Sequence, residues 1–297
     1  MPSEFKKTCH IIGAGRVGKT LALLLSQQHT WRLSHIVSSS LSPSAVSAEV
    51  CRSVAQLPPA DAVLLAVPDD AIETVALALA DSPHFRAGTL AVHLSGAKTV
   101  AALAAVTERG GLAGSLHPVF AFADPVLAAA NLAGSLCALE TQDQRALALL
   151  TELAQILGLQ PFTVLSEYKS RYHAALSAAS NFSITLAGFA RNLLSTIALP
   201  DDLAQRLVYR LMKQSIENLA ALSPEQALTG PIVRGDTATV AAHLSAMTAE
   251  EQAFYRVLAQ ATAELAAGRL KMSEANCCEA KIQAAQAMRA VLRQQTE

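Results

Sequence analysis

Between Thr8 and about Leu165, short and almost wholly apolar runs alternate with stretches whose apolar positions recur at helical spacing. Residues 9–12, 33–37, 62–67, 89–94 and 112–116 read as strands, and 20–28 and 71–80 as helices. Further strands are expected near 135–139 and 162–165. Strands that are apolar on both faces, such as Ala62-Val-Leu-Leu-Ala-Val67, suit a parallel sheet covered by helices on both sides. Beyond Ser166 the strand signal stops, and residues 167–198, 201–222, 236–247, 249–267 and 273–294 read as helices. Asp201, Asp236 and Ser273 stand at N-cap positions, and Gly268 is placed just beyond a helix end. The pattern predicts a doubly wound α/β domain on a mostly parallel sheet over residues 1–165, then an all-α domain over 166–297.

Composition narrows the function classes. Of 297 residues, 52% are hydrophobic and 16% charged, which excludes a largely disordered chain. Lys and Arg number 23 against 24 Asp and Glu, with no long basic stripe, so neither nucleic acid nor an anionic membrane is an expected partner. Mean hydropathy is +0.31, which raises the question of a membrane span. The longest uncharged run, residues 172–190, is interrupted by His173, Ser177, Ser180, Asn181, Ser183 and Thr185, so no spanning helix is expected. Residues 1–7 show no signal-peptide pattern. Five scattered cysteines (Cys9, Cys51, Cys137, Cys277, Cys278) without a C-x-x-C read as buried or idle thiols in a reducing cytoplasm, and no metal site is expected.

The chemistry begins at Gly13-Ala-Gly-Arg-Val-Gly18, a G-x-G-x-x-G that follows a strand and opens a helix. Gly13 permits the tight turn, Gly15 lets backbone N–H groups reach a pyrophosphate, and Gly18 lets helix and strand pack closely. Ala14, Arg16 and Val17 lie between them. The second strand, Ser34-His-Ile-Val37, runs into Ser38-Ser39-Ser40 with no acid before Glu49. A carboxylate there would hydrogen-bond the ribose of NAD and repel a 2′-phosphate, whereas Ser38 and Ser39 tolerate one. Arg16 or Arg52 can supply the positive charge. NADP(H) is therefore the expected cofactor.

In an open α/β sheet the ligand lies beyond the carboxyl ends of the strands. Those ends read Val67-Pro-Asp-Asp70, His93-Leu-Ser-Gly-Ala97 and Ser115-Leu-His-Pro-Val-Phe120. Val67, Pro68 and Ser95 are expected to border the nicotinamide ribose, and His117 the substrate. Asp69 reads either as part of that site or as a cap for the helix at 71–80. On the long helix, His173, Ser177 and Asn181 recur every four residues and share one face. Arg234, in the Gly/Pro-rich break Leu228-Thr-Gly-Pro-Ile-Val-Arg-Gly-Asp236, is a candidate clamp for a carboxylate or phosphate.

Taken together, Ile12–Gly18, Leu65–Asp69, His93-Leu-Ser-Gly96, Leu116-His-Pro118, Tyr172-His-Ala-Ala175, Ala179-Ser-Asn181, Leu228–Pro231 and Arg234-Gly-Asp236 resemble the Rossmann-like and DUF2520 domain-containing proteins. That family belongs to the 6-phosphogluconate dehydrogenase-like superfamily, with pyrroline-5-carboxylate reductase and the β-hydroxyacid dehydrogenases. The resemblance implies an NADP-type Rossmann domain, a helical domain and a homodimer built through the helices. The β-hydroxyacid dehydrogenases carry a Lys four residues before an Asn on the interdomain helix. If Asn181 matches that Asn, Ser177 stands at the Lys position, which argues against alcohol oxidation. The expected activity is NADPH-dependent reduction of a small, anionic imine or carbonyl compound in the interdomain cleft. His173 is the preferred proton donor, and His117, Ser177, Asn181 and Arg234 stand around the substrate. The competing expectation is a sensor or regulatory protein that binds NADP(H) without turnover.

Overall fold

The computed structural model describes residues 7–42, 47–272 and 279–293. It divides into two compact units, Met1–Phe182 and Ser183–Glu297. In the first, strands β1 (Lys7–Ile12), β2 (Trp31–Val37), β3 (Glu49–Cys51), β4 (Ala62–Leu65), β5 (Leu90–His93), β6 (Leu112–Pro118), β7 (Leu136–Glu140) and β8 (Gln160–Thr163) form one sheet in the order β3-β2-β1-β4-β5-β6-β7-β8. All neighbours are parallel except β6 and β7. Helices α1 (Arg16–Leu25), α2 (Ile72–Ala80), α3 (Ala104–Glu108), α4 (Pro125–Asn131) and α5 (Gln144–Ile156) follow the strands, and α6 (Lys169–Ser195) begins in this unit.

Successive strand residues point to opposite faces, so an apolar strand feeds two cores at once. Ile11 and Leu64 join Leu21 and Leu25 of α1 and Leu150 and Leu153 of α5 in one cluster. Their neighbours Ile12, Val63 and Leu65 join Ile72, Ala76 and Leu79 of α2 and Val106 of α3 in the other. The sheet order places a topological switch between β1 and β4, since their onward connections run to opposite sides.

The second unit contains the rest of α6 and helices α7 (Asp201–Asn218), α8 (Pro224–Ala227), α9 (Pro231–Arg234), α10 (Thr237–Ser245), α11 (Ala249–Met272) and α12 (Glu279–Arg293). Its core gathers Val240 and Leu244, Ala259 and Ala263, and Met288 and Leu292. Among the described residues no strand follows Ser166, and no helix is long and apolar enough to cross a membrane.

The local expectations fare differently. Asp201 is not an N-cap; Pro200 takes that position and Asp201 is the first helical residue, where its charge still suits the positive helix end. Gly268 does not end a helix but lies inside α11. Ser273 falls outside the described residues. Asp69 caps nothing by its side chain, because Pro68 precedes the 3₁₀ turn and α2 has no side-chain cap. Asp236 is an N-cap, accepting from the Thr239 amide at 3.0 Å. Compactness also carries the first unit past the expected boundary at 165, to Phe182.

Candidate functional site

The glycine loop is fixed by close backbone packing. The Gly13 amide donates to Val37 O at 2.9 Å and the Ala66 amide to Ile12 O at 2.8 Å, which ties the turn to β2 and β4. Gly13 has φ +103°, and a Cβ there would sit 2.3 Å from Ala66 O. A Cβ on Gly18 would sit 2.1 Å from Gly13 O. Gly15 differs, because nothing lies within 4 Å of where its Cβ would be. It is the N-cap of α1, contributes no side-chain cap, and no acid occupies the first turn. The helix thus presents uncapped N–H groups and its positive end to open space, as a bound pyrophosphate requires. Ala14 and Val17 are half-buried, and Arg16 is exposed beside the open space.

At the end of β2 the chain turns at Ser38, whose buried hydroxyl accepts from the Leu41 amide at 3.1 Å and the Ser40 amide at 3.3 Å. Arg52 reaches this turn, its Nη1 donating to Ser38 O at 2.7 Å and Leu41 O at 3.2 Å. Ser39 is exposed next to it. A guanidinium therefore stands where an NAD-type site places a carboxylate, so the residues present fit a 2′-phosphorylated cofactor.

A second cluster forms across β5, β6 and β7. His93 pairs with Ser115, and Ser115 with Glu140, so the three side chains stand in one row on one face. Lys169, at the first turn of α6, enters that row and is 1% exposed. Its Nζ donates to Ser115 Oγ at 2.8 Å and Ser95 O at 3.1 Å, and lies 3.1 Å from Glu140 Oε2. The two oxygens of Ser115 and Ser95 accept hydrogen bonds from the ammonium, and the Glu140 carboxylate is its ion-pair partner. Glu140 Oε1 accepts from the Val100 amide at 2.9 Å and Ser166 Oγ at 2.7 Å. Burial pulls the Lys169 ammonium below its ordinary value, while the Glu140 carboxylate opposes the shift.

Two residues beyond Ser115, on the same face of β6, lies His117. Tyr172 and His173 follow Lys169 by three and four residues and share its side of α6. The Tyr172 hydroxyl is 2.9 Å from His117 Nδ1, and the His117 and His173 rings meet edge-on with centroids 6.2 Å apart. Gly96 underlies both: a Cβ there would approach His117 Nε2 and His173 Cδ2 to 2.8 Å each. His117 is pushed down to about 4, first by burial and then by the Lys169 charge, so its ring is neutral at neutral pH. His93 is pushed down to about 4 for the same two reasons. Its role is structural, since Nε2 lies 3.2 Å from Thr99 O and Nδ1 accepts from the Ser95 amide at 3.3 Å.

The other expected residues differ in their surroundings. Ser95 donates from Oγ to Asp69 at 2.7 Å and accepts from the Ala97 and Lys98 amides, so its hydroxyl shapes the loop beneath Gly96. Val67 and Pro68 continue from β4 toward the same edge. Ser177 follows His173 by one turn of α6, half-buried; Asn181, a further turn on, is exposed and about 12 Å along the axis from His173. Arg234 ends α9 in the second unit, exposed and close enough to Asp236 to favour its charged form. Lys169 and Glu140 were not singled out from the sequence, and Tyr172 stood only in a segment of the family resemblance, without a site role. Lys169 carries the same four-residue spacing to His173 that singled out Ser177, so that signal was present.

The sheet order, the glycine turn at β1–α1 and the following helices define a two-domain protein of the Rossmann-like class. Residues 4–118 match the Rossmann-like domain, and residues 135–262 match the domain of unknown function DUF2520. The chain thus carries a Rossmann-like domain followed by a DUF2520 domain. No curated protein matches it. Among solved structures, a provisionally assigned NADP oxidoreductase of Bacteroides fragilis is 20% identical, with TM-score 0.68, over 89% of this chain and 98% of its own. Protein TM1727 of Thermotoga maritima is 24% identical, with TM-score 0.63, over 90% and 98%. The pyrroline carboxylate reductase of Plasmodium falciparum, solved with NADP bound, is 12% identical, with TM-score 0.60, over 96% and 98%. These likenesses carry the fold.

Proposed function

We propose that the protein is an NADP-dependent oxidoreductase that reduces a small, anionic imine or carbonyl compound. The observation that carries this reading is the uncapped N-terminus of α1 over the open space at Gly15, with Arg52 at the end of β2. Gly13, Ala14, Gly15, Arg16, Val17 and Gly18 hold the pyrophosphate. Ser38 and Ser39, beside Arg52, receive the 2′-phosphate, and Val67, Pro68 and Ser95 border the nicotinamide ribose. When bound, the cofactor supplies the hydride. The protein's part is to orient the substrate over Gly96 and deliver a proton. His173 is assigned that proton, its ring nitrogens having no hydrogen bond among the described residues, and His117 stands beside it. Ser177, Asn181 and Arg234 remain substrate residues of this proposal on the strength of the sequence.

The test is NADPH oxidation across a panel of small imines and 2-oxo acids. For a compound that is turned over, His173→Ala is expected to lower kcat by about 10²–10⁴-fold, or about 3–5 kcal/mol of barrier, with NADPH affinity held within a few-fold. A loss of about tenfold or less would move the proton donor to His117 or to water. Tight NADPH binding with no turnover of any imine or carbonyl would favour the sensor reading.

A homodimer through the helices is part of the same proposal. In the second unit Ile184 is 73% exposed and Leu211 67%, and Leu207 and Ile216 are exposed as well. A groove of about 890 Å³ between α6 and α7 is lined by Leu193, Leu194, Leu203, Leu207 and Leu211. So much apolar surface on two helices suits burial against a second copy. Sedimentation at micromolar concentration is expected to give a dimer; a monomer would refute it.

A further inference from the structure

The pair formed by Tyr172 and His117 has a chemical direction. Their contact, Tyr172 OH to His117 Nδ1 at 2.9 Å, is satisfied either by a phenol O–H donating to a bare Nδ1 or by an Nδ1–H donating to the phenol oxygen. A phenol is much the stronger acid, and a neutral imidazole nitrogen much the better base, so the proton lies between them as O–H···N. Burial pushes the Tyr172 phenol up to about 12, which keeps its proton in place. An imidazole whose Nδ1 accepts carries its own proton on Nε2. That nitrogen has no hydrogen-bond partner among the described residues, and it is not among the buried polar atoms closed off from solvent. It lies against Gly96, beside the edge of His173.

The charges around His117 agree with a ring that does not take up a proton. After burial, the Lys169 charge is the leading influence against its charged form, and Asp69 opposes it. Lys169 is fixed by Ser115, Ser95 and Glu140, so its charge stays in place.

We infer that Tyr172 is a positioning residue that holds His117 as the Nε2–H tautomer, so that His117 offers the substrate a neutral hydrogen-bond donor for an acceptor oxygen and leaves proton delivery to His173. The assignment of a substrate to this place rests on the oxidoreductase reading above; the tautomer does not. The substrate class this selects carries a carbonyl or carboxylate oxygen next to the carbon that receives hydride. One donor on the oxygen and a separate acid on the reacting centre give the two ends of such a group distinct partners.

The test is ¹⁵N NMR of histidine-labelled protein, free and with NADPH, with the His117 signals assigned by their loss in His117→Gln. The expected spectrum shows one tautomer, with Nδ1 unprotonated and Nε2 protonated, and no protonation of the ring within the ordinary imidazole range. In Tyr172→Phe the single tautomer is expected to give way to a mixture, with NADPH affinity unchanged by calorimetry. An Nδ1–H tautomer in the wild-type protein overturns the proposal, and so does a Tyr172→Phe spectrum that keeps the single Nε2–H form. If Tyr172→Phe does not fold, the wild-type spectrum alone decides by the same criterion. Absence of NADPH binding to the wild-type protein would overturn the functional reading while leaving the tautomer to be read from the free protein.

Discussion

Replacing Lys169 by methionine is expected to lower the unfolding temperature of the first unit by roughly 6–20 °C. Methionine matches the length of the lysine stem but leaves Glu140, 4% exposed, as an uncompensated buried carboxylate. Removing one partner of such a pair typically costs about 3–5 kcal/mol, and about 2–4 °C accompanies each kcal/mol in a domain of this size. Ser115 Oγ and Ser95 O lose their donor as well. The double variant Lys169→Met with Glu140→Leu removes both charges and is expected to recover most of the loss, because a well-packed apolar pair can replace a buried ion pair at little cost. Scanning calorimetry of the two variants checks this. An unchanged midpoint in the single variant would show that the row across β5, β6 and β7 does not depend on the ammonium.

The second large effect separates two glycines of one loop. Gly13→Ala places a Cβ on a residue with φ +103° and 2.3 Å from a backbone oxygen, so the turn itself must move. Strain of about 1–3 kcal/mol in the backbone is expected before any clash is counted, with lower stability and NADPH binding weakened by at least about 100-fold. Gly15→Ala meets nothing within 4 Å and has an ordinary φ of −70°. It should leave the melting temperature unchanged yet still weaken NADPH, because the space it enters is that assigned to the pyrophosphate. Equal NADPH affinity in wild type and Gly15→Ala would mean that the phosphates do not approach there.

Much of the sheet and the glycine loop was legible because their signals are local. A buried parallel strand must be apolar throughout, and a strand-to-helix turn that approaches a phosphate must be glycine at fixed spacings. The failures were also local, where weak preferences met tertiary context. Gly268 reads as a stop, yet a single glycine costs a helix only about 1 kcal/mol and α11 runs through it. β3 is three residues long and too short to show a period. At α4 the Asp124-Pro125 start signal was present, with Asp124 accepting from the Val126 and Leu127 amides, but the helix spans only seven residues. The site was legible as separate residues but not as an assembly. His117 and His173 could be nominated from strand-end and helix-face positions. Their link through Tyr172 joins residues 55 apart, and Lys169 meets Ser95 across 74 positions, contacts that only the folded chain creates.

The central claim is that the glycine loop and the Ser38–Arg52 turn bind a 2′-phosphorylated nicotinamide cofactor. Isothermal titration of the wild-type protein with NADPH and with NADH, in the same buffer and at one ionic strength, tests it most directly. NADPH is expected to bind at least several-fold more tightly than NADH. Equal affinity or a preference for NADH would contradict the reading of Ser38, Ser39 and Arg52, and no binding of either would contradict the claim as a whole.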